Sequence, residues 1–581
     1  MLSKSRFLVA ALVLVALCVS FLQYYLQRDS TSRVLSAWRG SSGPDPNIIN
    51  ETVNKDHTGT TDDITSDTTG EIVNEPVSDT ATETVTRTVT ETVKQTQRPL
   101  PLEYYSIPGE GETCTRFSTA FLEDFHGRSA SYCDGDSSAA LTCFHRPVTA
   151  RDGKRTDSFC YAQGASLDVQ LKKFHLDCGL RQFSEQERAD GILPFNQLPL
   201  YWYGTGPSAI FTHAVSVNKR LPSRAVDEMS GSRKEGEGVE PYASRPQATS
   251  ATHPATPPKT MLMLKREGSG NTWHCLMEIF STFMTFDILG MPHGASGGPL
   301  FDPARDADDT QVVIIDDHAD GPYFDLWTLF ARRKPVRLTE LLSGESAARD
   351  LKSVNLVIPI TGSANPFWAE DDQAKQCINS PLLNVFSSRV LEFYGIKTAP
   401  FRSRDKPILL TFIKRSETRR LHGQWELIAK LRERNPRVVV QVVDFAALSF
   451  AEQLRIARET DILVGVHGAG LTHLLFMRQN DGAVVEIQPE NLDHHGLEHP
   501  AGMRGLGYFR TRGKIVPLEA WTEEEEDLPE GKEPEGSKKS LERREVWQSS
   551  DIEIEESRFL ETVEAAIKYM YAQGPWSYEI L

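Results

Sequence analysis

Hydrophobic positions along this chain follow two rhythms. Short unbroken runs of aliphatic residues predict buried strands, and runs with apolar positions three and four apart predict helices. From Met261, MLMLKRE reads as a strand. Gly268 and Gly270 then lead into a helix over Asn271-Thr272-Trp273-His274-Cys275-Leu276-Met277-Glu278-Ile279-Phe280, with Trp273, Leu276, Phe280 and Phe283 on one stripe. Asn271, His274 and Glu278 fall three and four apart and are expected to share another face. A strand at QVVIID, a helix from Leu326 to Arg332, a strand at NLVIPI and a helix from Leu382 to Tyr394 follow. Such alternation predicts a parallel sheet covered by helices.

After Ala399 the alternation restarts. PILLTFI is a strand, Trp425 to Arg434 a helix stopped by Pro436, and RVVVQVV a strand. Ser449-Phe450-Ala451-Glu452 is a capping box that opens a helix to Glu459. Ile462 to Val466 reads as a buried strand, His467-Gly468-Ala469-Gly470 as a corner, the apolar run from Leu471 as a helix, and AVVEI as the closing strand. This βαβαβαβ run is half of a doubly wound nucleotide-binding fold, with ligands expected at the carboxyl ends of the strands. The fold class is therefore α/β, with two Rossmann-like halves: a first domain over 101–398 and a nucleotide-binding domain over 399–581.

The N-terminus changes the setting. Residues 1–6 are expected as a cytosolic tail before an apolar run from Phe7 to Leu26, long enough for a signal-anchor, since about twenty apolar residues span a bilayer. A cleaved signal peptide, cut near Cys18 and Ser20, is the alternative. Residues 27–100, dense in Thr, Ser, Asp and Glu, read as a disordered stem carrying the glycosylation acceptor Asn50-Glu51-Thr52. The expected setting is an endoplasmic reticulum or Golgi membrane, single-pass type II, with the body in the lumen. Cysteine usage agrees: Cys114, Cys133, Cys143, Cys160 and Cys178 crowd one segment, and cysteines in an oxidising compartment pair. With Cys377 and Cys275 there are seven outside the apolar run, which leaves one odd thiol, and Cys275 inside a helix is the candidate. No C-x-x-C pair favours zinc. A net charge of −17 argues against a nucleic-acid partner. Insertions at 223–258 and 523–544 read as surface loops, and the cluster Tyr201-Trp202-Tyr203 takes no assigned role.

VGVHGAGLTHLLFM, followed by VVEIQP, resembles the signature of the family-61 glycosyltransferases. The resemblance runs from about Met261 to the C-terminus. It implies two facing halves of GT-B type and inverting transfer from a UDP-sugar to a protein Ser/Thr or a protein-linked glycan. N-acetylglucosamine is the first donor expected and xylose the second.

Such a transfer needs a counter-charge for the leaving diphosphate and a base for the acceptor hydroxyl. Strand, glycine corner and helix make an anion-binding shape, because glycines admit a ligand to the backbone and a helix start presents free N–H groups. The diphosphate candidates are His467, the backbone of Gly468, Ala469, Gly470, Leu471 and Thr472, the Thr472 hydroxyl, and the cluster Lys414-Arg415-Ser416 with Arg419 and Arg420. A similar basic element in the resembling family favours Arg415 and Arg419. Glu486, at the end of its strand, is a candidate for the ribose hydroxyls or for a cap. His274 is the candidate base, with Glu278 as orienter and Asn271 on the substrate. No cofactor is expected, since basic groups replace a metal in this scheme.

Three rivals stand beside this reading. Gly294-Ala295-Ser296-Gly297-Gly298-Pro299-Leu300 looks like a serine nucleophile segment, but in an α/β context with HGAG far downstream. Asp134-Gly135-Asp136, Asp306-Ala307-Asp308 and Asp316-Asp317 are the possible manganese ligands of a metal-dependent transferase, the last pair ending a strand. A non-catalytic, glycan-binding protein on the same fold is the third.

Overall fold

The computed structural model describes residues 72–73, 87–88, 100–104, 112–150, 153–219, 258–293, 297–343, 351–369, 377–397, 401–403, 405–516 and 546–572. The apolar run 7–26, nearly all of the stem, Ser296, the insertion 523–544 and all but the last residue of 223–258 lie outside them. Among the described residues no helix is long and apolar enough to cross a membrane. The chain divides into two compact units, Met1–Thr96 and Gln97–Leu581. In the first, Ile72–Val73 pairs antiparallel with Arg87–Thr88, a short ladder inside the segment expected to lack structure. Its β-branched residues favour extended pairing.

Among the described residues the second unit is mixed α/β, built on two large sheets beside a two-stranded ladder of Pro292–His293 with Gly298–Pro299. The first has nine strands: β1 (Ser129–Ser131), β2 (Ala140–Ala150), β3 (Gly153–Asp168), β4 (Lys173–Leu176), β5 (Val215–Val217), β6 (Thr260–Leu264), β7 (Thr310–Ile314), β8 (Val336–Arg337) and β9 (Val354–Ile358). Its order is β8-β7-β6-β9-β3-β2-β1, with β4 on β3 and β5 on β4. Strands β6 to β9 are mutually parallel, and β3, β2 and β1 continue the sheet antiparallel. The cysteine-bearing segment thus widens a Rossmann-like half into a mixed sheet, in place of the parallel sheet expected there.

The second sheet has six strands: β10 (Ile408–Ile413), β11 (Val438–Val443), β12 (Ile462–Val466), β13 (Ala483–Pro489), β14 (Gly507–Ile515) and β15 (Ile552–Glu553), in the order β11-β10-β12-β13-β14-β15. All pairs are parallel except β14 with β15. β6, β12 and β13 are buried at every position, as expected of parallel strands covered on both faces.

Helix α1 (Thr272–Leu289) follows β6, and α2 (Pro381–Phe393) precedes the second sheet. α1 is enclosed on all sides from Cys275 to Leu289, not two-faced as the stripe suggested. Phe280 of α1 stacks on Phe386 of α2 at 4.3 Å, and Phe386 meets Phe476, just beyond β12, at 6.4 Å. One core cluster therefore joins the helices over both sheets. In the second sheet α3 (Gln424–Arg434) and α4 (Phe450–Glu459) connect the strands, and the Ser449–Glu452 capping box is formed. The predicted helix at 326–332 is a short 3₁₀ segment, Phe324–Leu329. β14 and the terminal α5 (Glu556–Ala572) had no sequence expectation.

Disulfides join Cys114 to Cys377, Cys133 to Cys178 and Cys143 to Cys160, the last pair facing each other across β2 and β3. Among the described residues Cys275 is the free, buried thiol, and burial pushes its pKa up to about 12.

Candidate functional site

Parallel sheets bind ligands where strand order reverses, because the connections on either side leave in opposite directions and open a crevice at the carboxyl edge. The second sheet reverses between β10 and β12. The segment leaving β10 carries Arg415, Ser416 and Arg419, and the segment leaving β12 is the glycine corner.

These two segments touch. A Cβ on Gly468 would lie 2.7 Å from Arg419 Nη1 and 3.2 Å from Arg415 Nη1, so both guanidinium groups close on the bare corner. Arg419 Nη1 donates to His467 O at 3.1 Å, and Arg415 Nε donates to Thr418 O at 2.8 Å. Gly468 has φ +143° and ψ −175°, a region open essentially to glycine alone. Burial lowers the Arg415 pKa, with Glu417 and then Asp444 acting against it. Ser416, exposed, donates from Oγ to Asp444 Oδ2 at 2.6 Å.

Gly468→Ala is expected to displace the Arg419 guanidinium and to weaken diphosphate binding at the corner, probed with uridine diphosphate, by about tenfold or more, a loss of ~1.4 kcal/mol. Calorimetric titration checks this, and unchanged affinity would mean that the corner does not hold the nucleotide.

The remaining corner residues are placed less favourably for direct contact. The helix beyond the corner is 3₁₀, Ala469–Phe476, and starts two residues before Leu471. Leu471 packs in the core and its N–H donates to Gly468 O at 3.0 Å, so neither its side chain nor its amide faces a ligand. The Thr472 hydroxyl is sealed in the interior, which removes it as a phosphate donor. Ala469 and Gly470 remain half-buried at the corner.

His467 is 6% exposed, and its Nδ1 bonds Glu486 Oε1. Glu486 does not end its strand, which continues to Pro489. Fully buried, Glu486 also accepts from Tyr508 OH and, at 3.2 Å, from Gln488 Nε2, so it braces the corner histidine and is not open to a ribose. Arg420 points to Asp551 at 2.8 Å, and buried His473 bonds Gly470 O and Gln453 Oε1, its pKa pushed down to about 4 by burial.

The first sheet reverses between β6 and β9, and a second polar cluster occupies that edge. Asn271 is the N-cap of α1, accepting from Trp273 N at 3.0 Å and His274 N at 3.4 Å. Its oxygen is thus committed to the helix, not to a substrate. His274 Nδ1 lies 3.5 Å from Glu267 Oε2, and Glu267 Oε1 accepts from Ser363 N at 3.1 Å and Ser363 Oγ at 2.8 Å. Glu267, just beyond β6, is therefore the carboxylate beside His274. Sequence spacing had pointed to Glu278, which instead accepts from the Glu267 N–H at 2.7 Å and is buried. Trp368 and Tyr203 meet the His274 ring edge-on, at 4.3 and 5.5 Å.

Burial, then the charge of Glu267, raise the Glu278 pKa well above its ordinary value, against the Glu267 N–H. An acid with a raised folded-state pKa holds its proton longer in the native state, so its stabilisation is lost as pH rises above the unfolded value of about 4.3. Glu278→Gln is expected to melt above the wild type at pH 8 and to converge with it near pH ~4. Parallel Tm-against-pH curves would contradict this.

Each acidic pair read as a metal candidate has at least one carboxylate engaged in an ion pair. Asp316 binds Arg266 at 2.8 Å, Asp306 binds Arg305 at 2.7 Å, Asp308 binds Arg332 at 3.1 Å, and Asp134 binds Lys219 at 2.9 Å.

Comparison with known proteins bears on both clusters. Residues 273–485 match the Glycosyltransferase 61 family. The chain is 29% identical over 279 residues to the EGF domain-specific O-linked N-acetylglucosamine transferase of Drosophila melanogaster, covering 47% of this chain and 48% of that protein. The proteins of the same name from Xenopus laevis and Canis lupus familiaris are 32% and 37% identical over 203 and 147 residues, covering 34% and 24% of this chain and 35% and 27% of theirs. The chain thus spans half or less of the length of these relatives.

Proposed function

We propose that this chain, a family-61 glycosyltransferase over residues 273–485, transfers N-acetylglucosamine from UDP-N-acetylglucosamine to a Ser or Thr hydroxyl of a secretory protein, with inversion at the anomeric carbon. The observation that carries the reading is the meeting of Arg415 and Arg419 over Gly468 at the reversal of the second sheet. Planar guanidinium forks match diphosphate oxygens, and they supply the positive charge that a departing UDP requires. The two sheets are then the halves of a GT-B enzyme, one for the donor and one for the acceptor.

In this scheme the acceptor hydroxyl gives its proton to His274 as its oxygen bonds the anomeric carbon. The bond to UDP breaks on the opposite face, and Arg415 and Arg419 take up the developing charge. Glu267 steadies the imidazolium. No metal is required. Three disulfides suit an oxidising lumen, and the apolar run near the N-terminus would tether the body there. The relatives' printed name suggests an EGF domain as the acceptor.

The test is a panel of UDP-sugars offered to the full chain with and without a folded EGF domain, in the presence of EDTA. Turnover of UDP-N-acetylglucosamine above UDP-xylose, with a β-linked product, is the expected result. Absence of any uridine-nucleotide affinity would overturn the reading, and affinity without turnover would favour a binding protein.

A further inference from the structure

Among the described residues around the first sheet, the corner Leu200-Tyr201-Trp202-Tyr203 carries the most exposed apolar side chains. Leu200 is 64%, Trp202 69% and Tyr203 59% exposed. Large apolar groups left in water side by side mark an interaction site when they make up a contiguous patch.

The corner is built to hold these rings still. Tyr201 is its anchor: its hydroxyl donates to Asp157 Oδ1 at 2.8 Å, and a Cβ on Gly206, φ +98°, would come within 2.6 Å of its ring. Tyr201 N donates to Thr205 O at 3.0 Å, Gly204 N to Tyr201 O at 3.2 Å, and Thr205 Oγ1 to Trp202 O at 3.1 Å. Inside this clamp Tyr203 sits at φ +58°, a left-handed conformation unusual for a bulky side chain and a mark of functional sites when the surroundings enforce it.

The corner also belongs to the His274 cluster. Tyr203 meets the His274 ring edge-on at 5.5 Å. From the anchor, Asp157 accepts from Arg155 Nε at 3.1 Å, Arg155 Nη2 donates to Ser363 O at 3.3 Å, and Ser363 holds the Glu267 carboxylate beside His274. Platform and base are therefore two ends of one polar network.

We propose that Leu200, Trp202 and Tyr203 form the platform on which an apolar patch of the acceptor polypeptide docks, setting its hydroxyl at His274. The inference rests on the reading of His274 as the acceptor-side base. A protein surface suits the platform better than a glycan. Leu200 offers no flat face to stack on a sugar ring, and all three side chains stand out from the surface by more than half of their area. Trp and Tyr also dominate the energetically important positions of protein interfaces.

The test uses the full chain carrying Trp202→Ala, Leu200→Ala or Trp202→Phe. KM for a folded EGF domain, KM for UDP-N-acetylglucosamine, and calorimetric binding of the EGF domain without donor are measured. The expected result is an acceptor KM raised about tenfold or more by each alanine variant, a donor KM that does not follow it, and substantial recovery in Trp202→Phe. Weakened binding of the EGF domain supports the platform even if no sugar is transferred, so the two readings fail separately. The platform is overturned if acceptor KM and binding stay at the wild-type level. It is equally overturned if an oligosaccharide acceptor is lost while the protein acceptor is not.

Discussion

Arg415→Ala is expected to lower kcat by about 10²–10³-fold, the loss typical when one preorganised donor to a developing negative charge is removed. The side chain meets the glycine corner with Nη1 and is steadied through Nε by Thr418 O, so the fork is held in place before any ligand arrives. Little of that arrangement is structural: among the described residues Arg415 makes no ion pair, and its removal should leave Tm nearly unchanged. Arg415→Lys keeps the charge but not the two-pronged geometry, and it should recover only part of the loss. Arg419→Ala should cost a similar factor plus some stability, because Arg419 also holds His467 O. Steady-state rates with UDP-N-acetylglucosamine decide the matter, and wild-type turnover in Arg415→Ala would remove the basis of the proposed donor site.

The second large effect is expected at the first sheet. His274→Ala should lower kcat by about 10²–10⁴-fold, the range of a lost general base. Glu267→Gln should lower kcat by about tenfold with donor KM unchanged, because an amide keeps the Ser363 contacts but cannot balance a charged imidazole. Glu278→Gln should leave kcat within about twofold, since its oxygen only receives a main-chain N–H. The contrast separates the two glutamates. If Glu278→Gln cost more than Glu267→Gln, the pairing seen in the structure would not be the one used in turnover.

That contrast also shows what the sequence could carry. The strand before His467 and the bare corner after it were readable, because an unbroken aliphatic run and paired glycines have few other uses. The Ser449 capping box was readable for the same reason: its partners are three residues apart. Glu267 was not, because periodicity relates residues within one helix. The carboxylate beside His274 lies before the helix, brought back by the turn at Gly268 to Gly270. The true state of Glu486 was hidden similarly. A strand end and a strand middle look alike when the apolar run stops at Ile487 but pairing carries Gln488 and Pro489 onward beside β14. The five strands β1 to β5 had no legible topology, since antiparallel extension of a parallel sheet depends on partners far away along the chain.

The Cys114–Cys377 bridge spans a separation of 263 residues and so closes a covalent ring around every strand of the first sheet. A protease cut anywhere inside that ring, including within the insertion at 223–258, leaves the two fragments fastened together. The nicked molecule should migrate as one species until a reductant is added, then separate. Glu267, His274 and Ser363 all lie inside the ring, whereas Arg415 and Gly468 lie outside it. Reduction after cleavage therefore loosens the His274 cluster first, and under the proposed scheme nucleotide affinity should outlast the capacity for transfer.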